Sequence, residues 1–263
     1  MIGEAAEPAL QPYTLDGFLD GSITLVQPRG GHRAGLDAAL LQAVVPADAS
    51  GHAMDLGAGV GTVGFAVAAR APALAVTCVE RDGEFVACAE MALRRPENAA
   101  FAPRVRLVQA DISDRRDARE ARGLRDGTAD FVLMNPPYDV PDQVRPSPDM
   151  SRRGAHIAEP GALSAWCRSA AGLLKAGGLL GLTHRPAALP EILAALNAAF
   201  GAIRVLPVHP SPDKPAGRIV VLAQKASRGP LRLMPGLILH ETGGGWTEEA
   251  EAILRGRAEL GLA

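Results

Sequence analysis

The 263-residue sequence has little cysteine, little lysine and few aromatic side chains, and it contains no long apolar run. Its three cysteines (Cys78, Cys88, Cys167) are an odd number with no CxxC pair, so neither a disulfide framework nor a thiolate zinc site is readable. The six histidines show no metal-ligand spacing either, so no metal is expected. No stretch reaches the roughly 18 apolar residues of a membrane span, and Glu4 and Glu7 stand where a signal peptide would carry Lys or Arg. A cytoplasmic protein, neither exported nor membrane-spanning, is expected. Lysine occurs only at Lys175, Lys214 and Lys225, which leaves 27 − 3 = 24 arginines. Arg is the better phosphate fork, although an Ala- and Arg-rich composition also follows from a GC-rich genome. The net charge of −2 supplies no overall field for a polyanion, so a nucleic-acid partner would need a local patch.

What is present is a globular composition, 48% hydrophobic and 21% charged, with a β/α rhythm from about residue 52 to 225. Strands are predicted at His52–Leu56, Leu74–Glu80, Val105–Gln109, Phe131–Met134 and Leu179–Thr183. Helices are predicted at Thr62–Arg70, Glu84–Arg94, Arg115–Arg122 and Ala162–Lys175, the last stopped by Ala176-Gly177-Gly178. After a further helix at Leu189–Phe200 come strands at Ile203–Val208 and Arg218–Gln224, joined only by the Pro-rich loop Pro210 to Gly217. That connection is too short for a parallel crossover, so the last strand should run antiparallel. The expected fold is α/β, a doubly wound, seven-stranded, mostly parallel sheet. Three regions are expected: residues 1–51, a front flank with a hairpin around Asp20-Gly21 and an amphipathic helix at Leu36–Val45; a core at 52–225; and a tail at 226–263. The tail should hold a short strand at Leu237–His240, a Gly243-Gly244-Gly245 break and a helix from Glu248.

The first βα junction reads Asp55-Leu56-Gly57-Ala58-Gly59-Val60-Gly61-Thr62-Val63-Gly64. Glycines let the backbone turn off the strand and approach a ligand, and the helix N-terminus offers free N–H groups. Gly59 to Gly64 satisfies GxGxxG with Glu80 ending the next strand, as a dinucleotide site would. Asp55, however, would face and repel a pyrophosphate, and it suits a ligand carrying an ammonium or sulfonium. Asp111 follows the third strand and can accept from an adenine amine, and Asn135 follows the fourth. Polar groups on successive strand ends are what a crevice at the carboxyl edge of an open α/β sheet requires. Plainer roles are open for several of them. Asp111 could cap the next helix, Glu80 could be a solvated strand end, and Gly64 fits close helix–strand packing.

These motifs, Asp55 with Gly57, Gly59 and Gly61, then Glu80, Asp111 and Asn135-Pro136-Pro137-Tyr138, resemble in order those of the class I S-adenosylmethionine-dependent methyltransferases. The resemblance covers about residues 52 to 225, and the antiparallel last strand belongs to that fold. It implies S-adenosyl-L-methionine as cofactor, with Asp55 and the glycine loop serving its methionine part, Glu80 the ribose and Asp111 the adenine. The segment Gln27 to Leu41 resembles the one preceding the glycine motif in the bacterial tRNA adenine-N6 methyltransferases, called small-domain methyltransferases. That resemblance implies that Arg33, Gly35 and Asp37 close over the cofactor. Gly35-Leu36-Asp37 reads equally as a helix start with an acid in its first turn.

In Asn135-Pro136-Pro137-Tyr138 the prolines fix φ and remove two donors, so the carbonyls of Asn135 and Pro136 project without local competition. An amide oxygen and a backbone carbonyl about 3 Å from one point can both accept from an –NH₂ group. Holding both protons out of plane turns the conjugated lone pair of an exocyclic amine toward the methyl carbon. The displacement then rests on positioning and local dipoles. Tyr138, one of two tyrosines, can stack on a planar base; Pro137 would line the same pocket. Packing at the end of a buried strand is its plainer role. NPPY resembles enzymes methylating adenine N6, guanine N2 or glutamine N5. A front flank of only 51 residues argues against the glutamine class. Among the arginines, Arg115, Arg119 and Arg122 share a helical side with Asp117 and Glu120 and read as a solvated, salt-bridged face. Arg145, Arg152 and Arg153 follow Tyr138 and could contact phosphate, although Asp139, Asp142 and Asp149 share that loop. The expected activity is S-adenosylmethionine-dependent N-methylation of an exocyclic base amine, adenine N6, in tRNA or another RNA, with Arg152 and Arg153 binding substrate. The alternatives are a protein glutamine N5 methyltransferase, a nicotinamide-dependent oxidoreductase and a non-catalytic cofactor-binding module.

Overall fold

The computed structural model describes residues 12–30, 35–136 and 161–262. A hairpin comes first, β1 (Tyr13–Phe18) and β2 (Ile23–Pro28), followed by α1 (Leu36–Gln42). The alternating core is β3 (Ser50–Leu56), α2 (Thr62–Arg70), β4 (Ala73–Glu80), α3 (Gly83–Leu93), β5 (Val105–Gln109), α4 (Arg116–Ala121) and β6 (Ala129–Met134). It continues with α5 (Ala162–Leu173), β7 (Leu174–His184), α6 (Leu189–Leu196), β8 (Phe200–His209) and β9 (Arg218–Lys225). The tail holds β10 (Arg232–Leu233), β11 (Leu237–Ile238) and α7 (Glu248–Leu254).

Seven long strands lie in the order β5-β4-β3-β6-β7-β9-β8, and β9 runs antiparallel to both neighbours. The α/β sheet with one reversed strand is thus present. It is nine-stranded rather than seven, because β10 and β11, two residues each, pair with the outer side of β8. Short pieces of this kind cover an otherwise open edge; β11 falls within the strand predicted at Leu237–His240, whereas β10 is too short to leave any alternation to read.

Side-chain alternation along each strand divides the core into two layers. Ala53, Val76, Cys78 and Leu133 face α1, α2, α3 and the hairpin, whereas Met54, Leu56, Val132, Met134, Leu180 and Leu182 face α5 and α6. The fully buried Asn98 ties the hairpin to the first layer, accepting from Thr24 N (3.0 Å) and donating to the Thr24 and Ala92 carbonyls. All three cysteines are free and buried, and burial pushes the thiols of Cys88 and Cys167 up to about 11 and about 12. Among the described residues no helix is long and apolar enough to cross a membrane.

Two local expectations are corrected. Ala176-Gly177-Gly178 is not a helix stop: α5 ends at Leu173, and Leu174 already pairs with Ala129. The register then jumps to Phe131–Leu179, so Lys175 to Gly178 form a bulge, with Gly177 at φ +82°. The bulge lets Lys175 Nζ reach both Asp130 oxygens at 2.8 Å. The arginine face of α4 is not wholly solvated. Arg116 pairs at the surface with Glu120 (2.7 Å), but Arg119 is buried, 3.6 Å from Asp126 and 3.4 Å from the Ser169 carbonyl. Arg115 and Arg122 cap this six-residue helix and stay exposed, whereas Arg119 turns inward toward Asp126 and the Ser169 carbonyl of α5.

Candidate active site

The chain runs from β3 outward through β4 to β5, then returns to β6 on the other side of β3, so the strand order reverses between β3 and β6. In open α/β sheets the ligand crevice lies beyond the carboxyl ends at that point. Leu56 is level with Met134 in the β3–β6 register, so the glycine loop and Asn135 leave adjacent strands at the same level of the sheet.

The glycine loop is shaped by three left-handed residues, Gly57 (φ +69°), Gly59 (φ +55°) and Gly61 (φ +91°), a conformation that costs any residue with a Cβ. Gly57 N and Ala58 N both donate to the Val79 carbonyl (2.9 and 3.0 Å), which fixes the turn on β4. A Cβ at Gly61 would lie 2.5 Å from the Phe65 ring, whereas one at Gly59 would meet nothing within 4 Å. Gly59 therefore borders open space. Gly64 answers to packing, since a Cβ there would sit 2.3 Å from Cys78 Sγ. Gly64→Ala is expected to cost about 1–3 kcal/mol of stability by overpacking, read from the urea midpoint; an unchanged midpoint would show that β4 yields freely.

Asp55 is buried, and its Oδ2 accepts from Gly64 N at 2.8 Å, so the carboxylate anchors the first turn of α2. Burial pushes its pKa up to about 7, opposed by the Gly64 N–H and reinforced by the charge of Glu80. Glu80 is no idle strand end. Its Oε2 accepts from Gly59 N (2.8 Å), and its Oε1 from Arg81 N (2.8 Å) and Asp82 N (2.9 Å). A carboxylate has about four lone-pair positions, so one stays available, and holding both hydroxyls of a ribose would displace a loop N–H. Asp111 accepts from Ser113 N (2.8 Å) and pairs with Arg81 at 3.4 Å. It closes an Asx turn and does not cap α4, whose N-cap is Arg115.

On the other side of the switch point, Thr183 at the end of β7 donates to Asn135 Oδ1 at 2.9 Å. The Thr183 side chain is fully buried, so this bond fixes which way the amide faces. Thr183→Val is expected to lower methyl transfer about tenfold, the reach of a lost positioning contact, with cofactor affinity unchanged. Thr183→Ser should restore the rate, and equal rates for the two variants would remove Thr183 from this role. Asp37, in the first turn of α1, is held at the same edge of the sheet. It forms an ion pair with Arg218 at the start of β9 (3.0 Å), bracing α1 on the carboxyl edge. Thr183, Arg218 and Trp166, whose ring lies against Gly57, were not singled out by the sequence. Their partners come from distant segments, and no local motif marks them. Arg33, Pro137, Tyr138, Arg145, Arg152 and Arg153 lie outside the described residues, while Pro136 is buried.

With this geometry in place, the relatives are informative. Residues 33–151 match the methyltransferase small domain. The crystal structure of a predicted O-methyltransferase from Agrobacterium tumefaciens is 37% identical, with a TM-score of 0.74 over 85% of this chain and 97% of that one. The chain belongs to the class I S-adenosylmethionine-dependent methyltransferases. Its cofactor is S-adenosyl-L-methionine, and the nicotinamide alternative raised by the GxGxxG spacing is set aside. The tRNA1(Val) (adenine(37)-N6)-methyltransferase of Shewanella putrefaciens is 35% identical over 103 residues, 39% of this methyltransferase. The chain spans 40% of the length of the curated relatives it matches. A Thermus thermophilus 16S rRNA N2 methyltransferase, solved with S-adenosylmethionine and guanosine, shares the fold at 21% identity and a TM-score of 0.52, over 81% of this chain and 50% of its own.

The residues present fit such a cofactor. The loop leaves room at Gly59, and a buried carboxylate, Asp55, lies behind it for a cationic ligand. Glu80 and Asp111 follow on the next two strand ends as acceptors.

Proposed function

We propose that this methyltransferase acts on an exocyclic base amine, adenine N6, in tRNA or another RNA. The observation that carries the reading is Asn135 at the end of β6, beside the strand end that bears the glycine loop, its amide oxygen accepting from Thr183 and followed by Pro136, Pro137 and Tyr138 in the sequence. The tRNA adenine-N6 relatives support the same substrate class.

In this reading the cofactor supplies an electrophilic methyl group, and the chain positions it. Asp55, Gly57, Gly59 and Gly61 hold the methionine part, Glu80 the ribose and Asp111 the adenine. Asp37 braces α1 over the cofactor through Arg218. The Asn135 amide oxygen and the backbone carbonyls at Asn135 and Pro136 accept the two amine protons of the target. With both protons accepted there, the lone pair of the target nitrogen would face the methyl group that the bound cofactor would supply, and the surplus proton would pass to solvent. Tyr138 and Pro137 cradle the base, and Arg152 and Arg153 contact phosphate. An amide oxygen accepts hydrogen bonds but takes no proton at neutral pH, which suits an amine better than a hydroxyl that needs a general base.

The test is transfer from tritiated cofactor to bulk tRNA, rRNA and protein from cells lacking the enzyme, followed by nucleoside and peptide mass analysis. N6-methyladenosine in RNA is the expected product. Label in methylglutamine would establish the protein reading instead, and the absence of any label would leave a cofactor-binding module.

A further inference from the structure

Trp166 has no place in the sequence motifs, yet the fold brings it to the cofactor loop. A Cβ at Gly57 would stand 2.5 Å from Trp166 Cη2 and 3.0 Å from Cζ3, so the six-membered ring of the indole lies directly on the turn leaving β3. Its neighbours on α5, Leu163, Cys167 and Ala170, are buried in the second core layer, whereas the indole is only partly covered. Asp55 and α2 approach the carboxyl edge from the opposite face of the sheet. The preceding residues, Leu56 and Met134, are register partners, so Gly57 and Asn135 leave neighbouring strand ends. A methyl group passing from a cofactor on the glycine loop to an amine held at Asn135 must cross this short interval, and the indole borders it.

Resting on the methyltransferase reading above, we propose that Trp166 is the aromatic wall beside the cofactor's sulfonium and sets the preference for the charged cofactor over the neutral thioether left after transfer. A cation within about 6 Å of an indole face is attracted by the ring quadrupole, and Trp is the strongest such partner. Loss of the charge on transfer removes that attraction, so Trp166 favours departure of S-adenosylhomocysteine. It is a positioning and specificity-determining residue and handles no proton.

The experiment uses the fact that the chain has only two tryptophans. Trp246 is 44% exposed and packs on His240 with ring centroids 4.2 Å apart, so Trp246→Phe leaves Trp166 as the sole tryptophan, selectively excited at the red edge of the absorption band where tyrosine does not absorb, without touching the site. Emission from that protein should change on titration with S-adenosylmethionine. By calorimetry, Trp166→Leu should weaken S-adenosylmethionine about five- to thirtyfold and S-adenosylhomocysteine by less than about threefold, while Trp166→Phe, a weaker partner for a cation, should lose a smaller but measurable part of the discrimination. Unchanged emission at saturating cofactor would overturn the proposal. So would equal weakening of both ligands in either variant, since that is the signature of lost packing alone. If the leucine variant does not fold, the emission change and the phenylalanine affinities carry the test. Failure of the wild-type protein to bind either ligand would instead overturn the methyltransferase reading itself.

Discussion

Asn135→Ala is expected to leave S-adenosyl-L-methionine affinity within about twofold and to lower methyl transfer at least about a hundredfold, the scale seen when one preorganised polar contact to a reacting group is removed. The polar cofactor contacts proposed above lie at the ends of β3, β4 and β5, whereas Asn135 follows β6 and is assigned to the target amine. Truncation also strands the Thr183 hydroxyl, which is fully buried and donates to Asn135 Oδ1. A small loss of stability, of order 1–3 kcal/mol, is expected beside the kinetic effect. Asn135→Asp separates the two, because it keeps acceptors for Thr183 and for the amine. It should be more stable than the alanine variant and retain more activity. Calorimetry with S-adenosylhomocysteine and single-turnover transfer from labelled cofactor measure binding and chemistry independently. Transfer at the wild-type rate in Asn135→Ala would remove Asn135 from the reacting site.

Much of this arrangement was legible in the sequence, for a definable reason. Asp55, Glu80, Asp111 and Asn135 each lie at or within two residues of the carboxyl end of an apolar strand, and in a parallel sheet all such strand ends meet at one edge. The reversed last strand was legible too, because eight residues between two strands cannot make a crossover. Other relations depend on register and on layer. Thr183 reaches Asn135 only because β7 lies beside β6 with Met134 level with Leu182. Arg218 meets Asp37 from 181 positions away because β9 reverses and begins at the carboxyl edge. The Gly177 bulge had the composition of a helix stop, and what decided between the two was a pairing partner, Ala129, far along the chain.

Hydrogen bonding also alters the weight carried by Glu80 at the end of β4. Both Glu80 oxygens are engaged by backbone N–H groups of the loop and the following turn. Glu80 therefore shapes the Gly59 turn before any ligand arrives, and much of the cost of ordering that loop is met in folding rather than in binding.

Asp55→Asn is expected to raise stability and weaken cofactor binding at the same pH. The folded pKa of Asp55, about 7, lies above the ordinary 3.8. The group therefore favours the folded state fully below pH 4, and that contribution is lost as pH rises through 7. A shift of this size corresponds to on the order of 4 kcal/mol. Ligand-free wild-type protein should accordingly melt at lower temperature at pH 8 than at pH 6. Asn cannot ionise, so the variant should lose this slope and melt above the wild type at pH 8, by less than the full amount because its amide N–H groups need acceptors. Binding a cationic cofactor has the opposite demand, since only ionised Asp55 attracts it. Between pH 7 and pH 6 the ionised fraction falls from about one half to about one tenth, and affinity should fall about fivefold. Binding at pH 7 should release about half a proton, visible in calorimetry across buffers of different ionisation enthalpy. The upper limit comes from the ligand, whose α-amino group loses its charge near pH 7.7–8.0. Wild-type affinity should therefore peak slightly above pH 7, and Asp55→Asn should lose the acid limb and keep the alkaline one. A variant that retained the acid limb would place the titrating group elsewhere in the site.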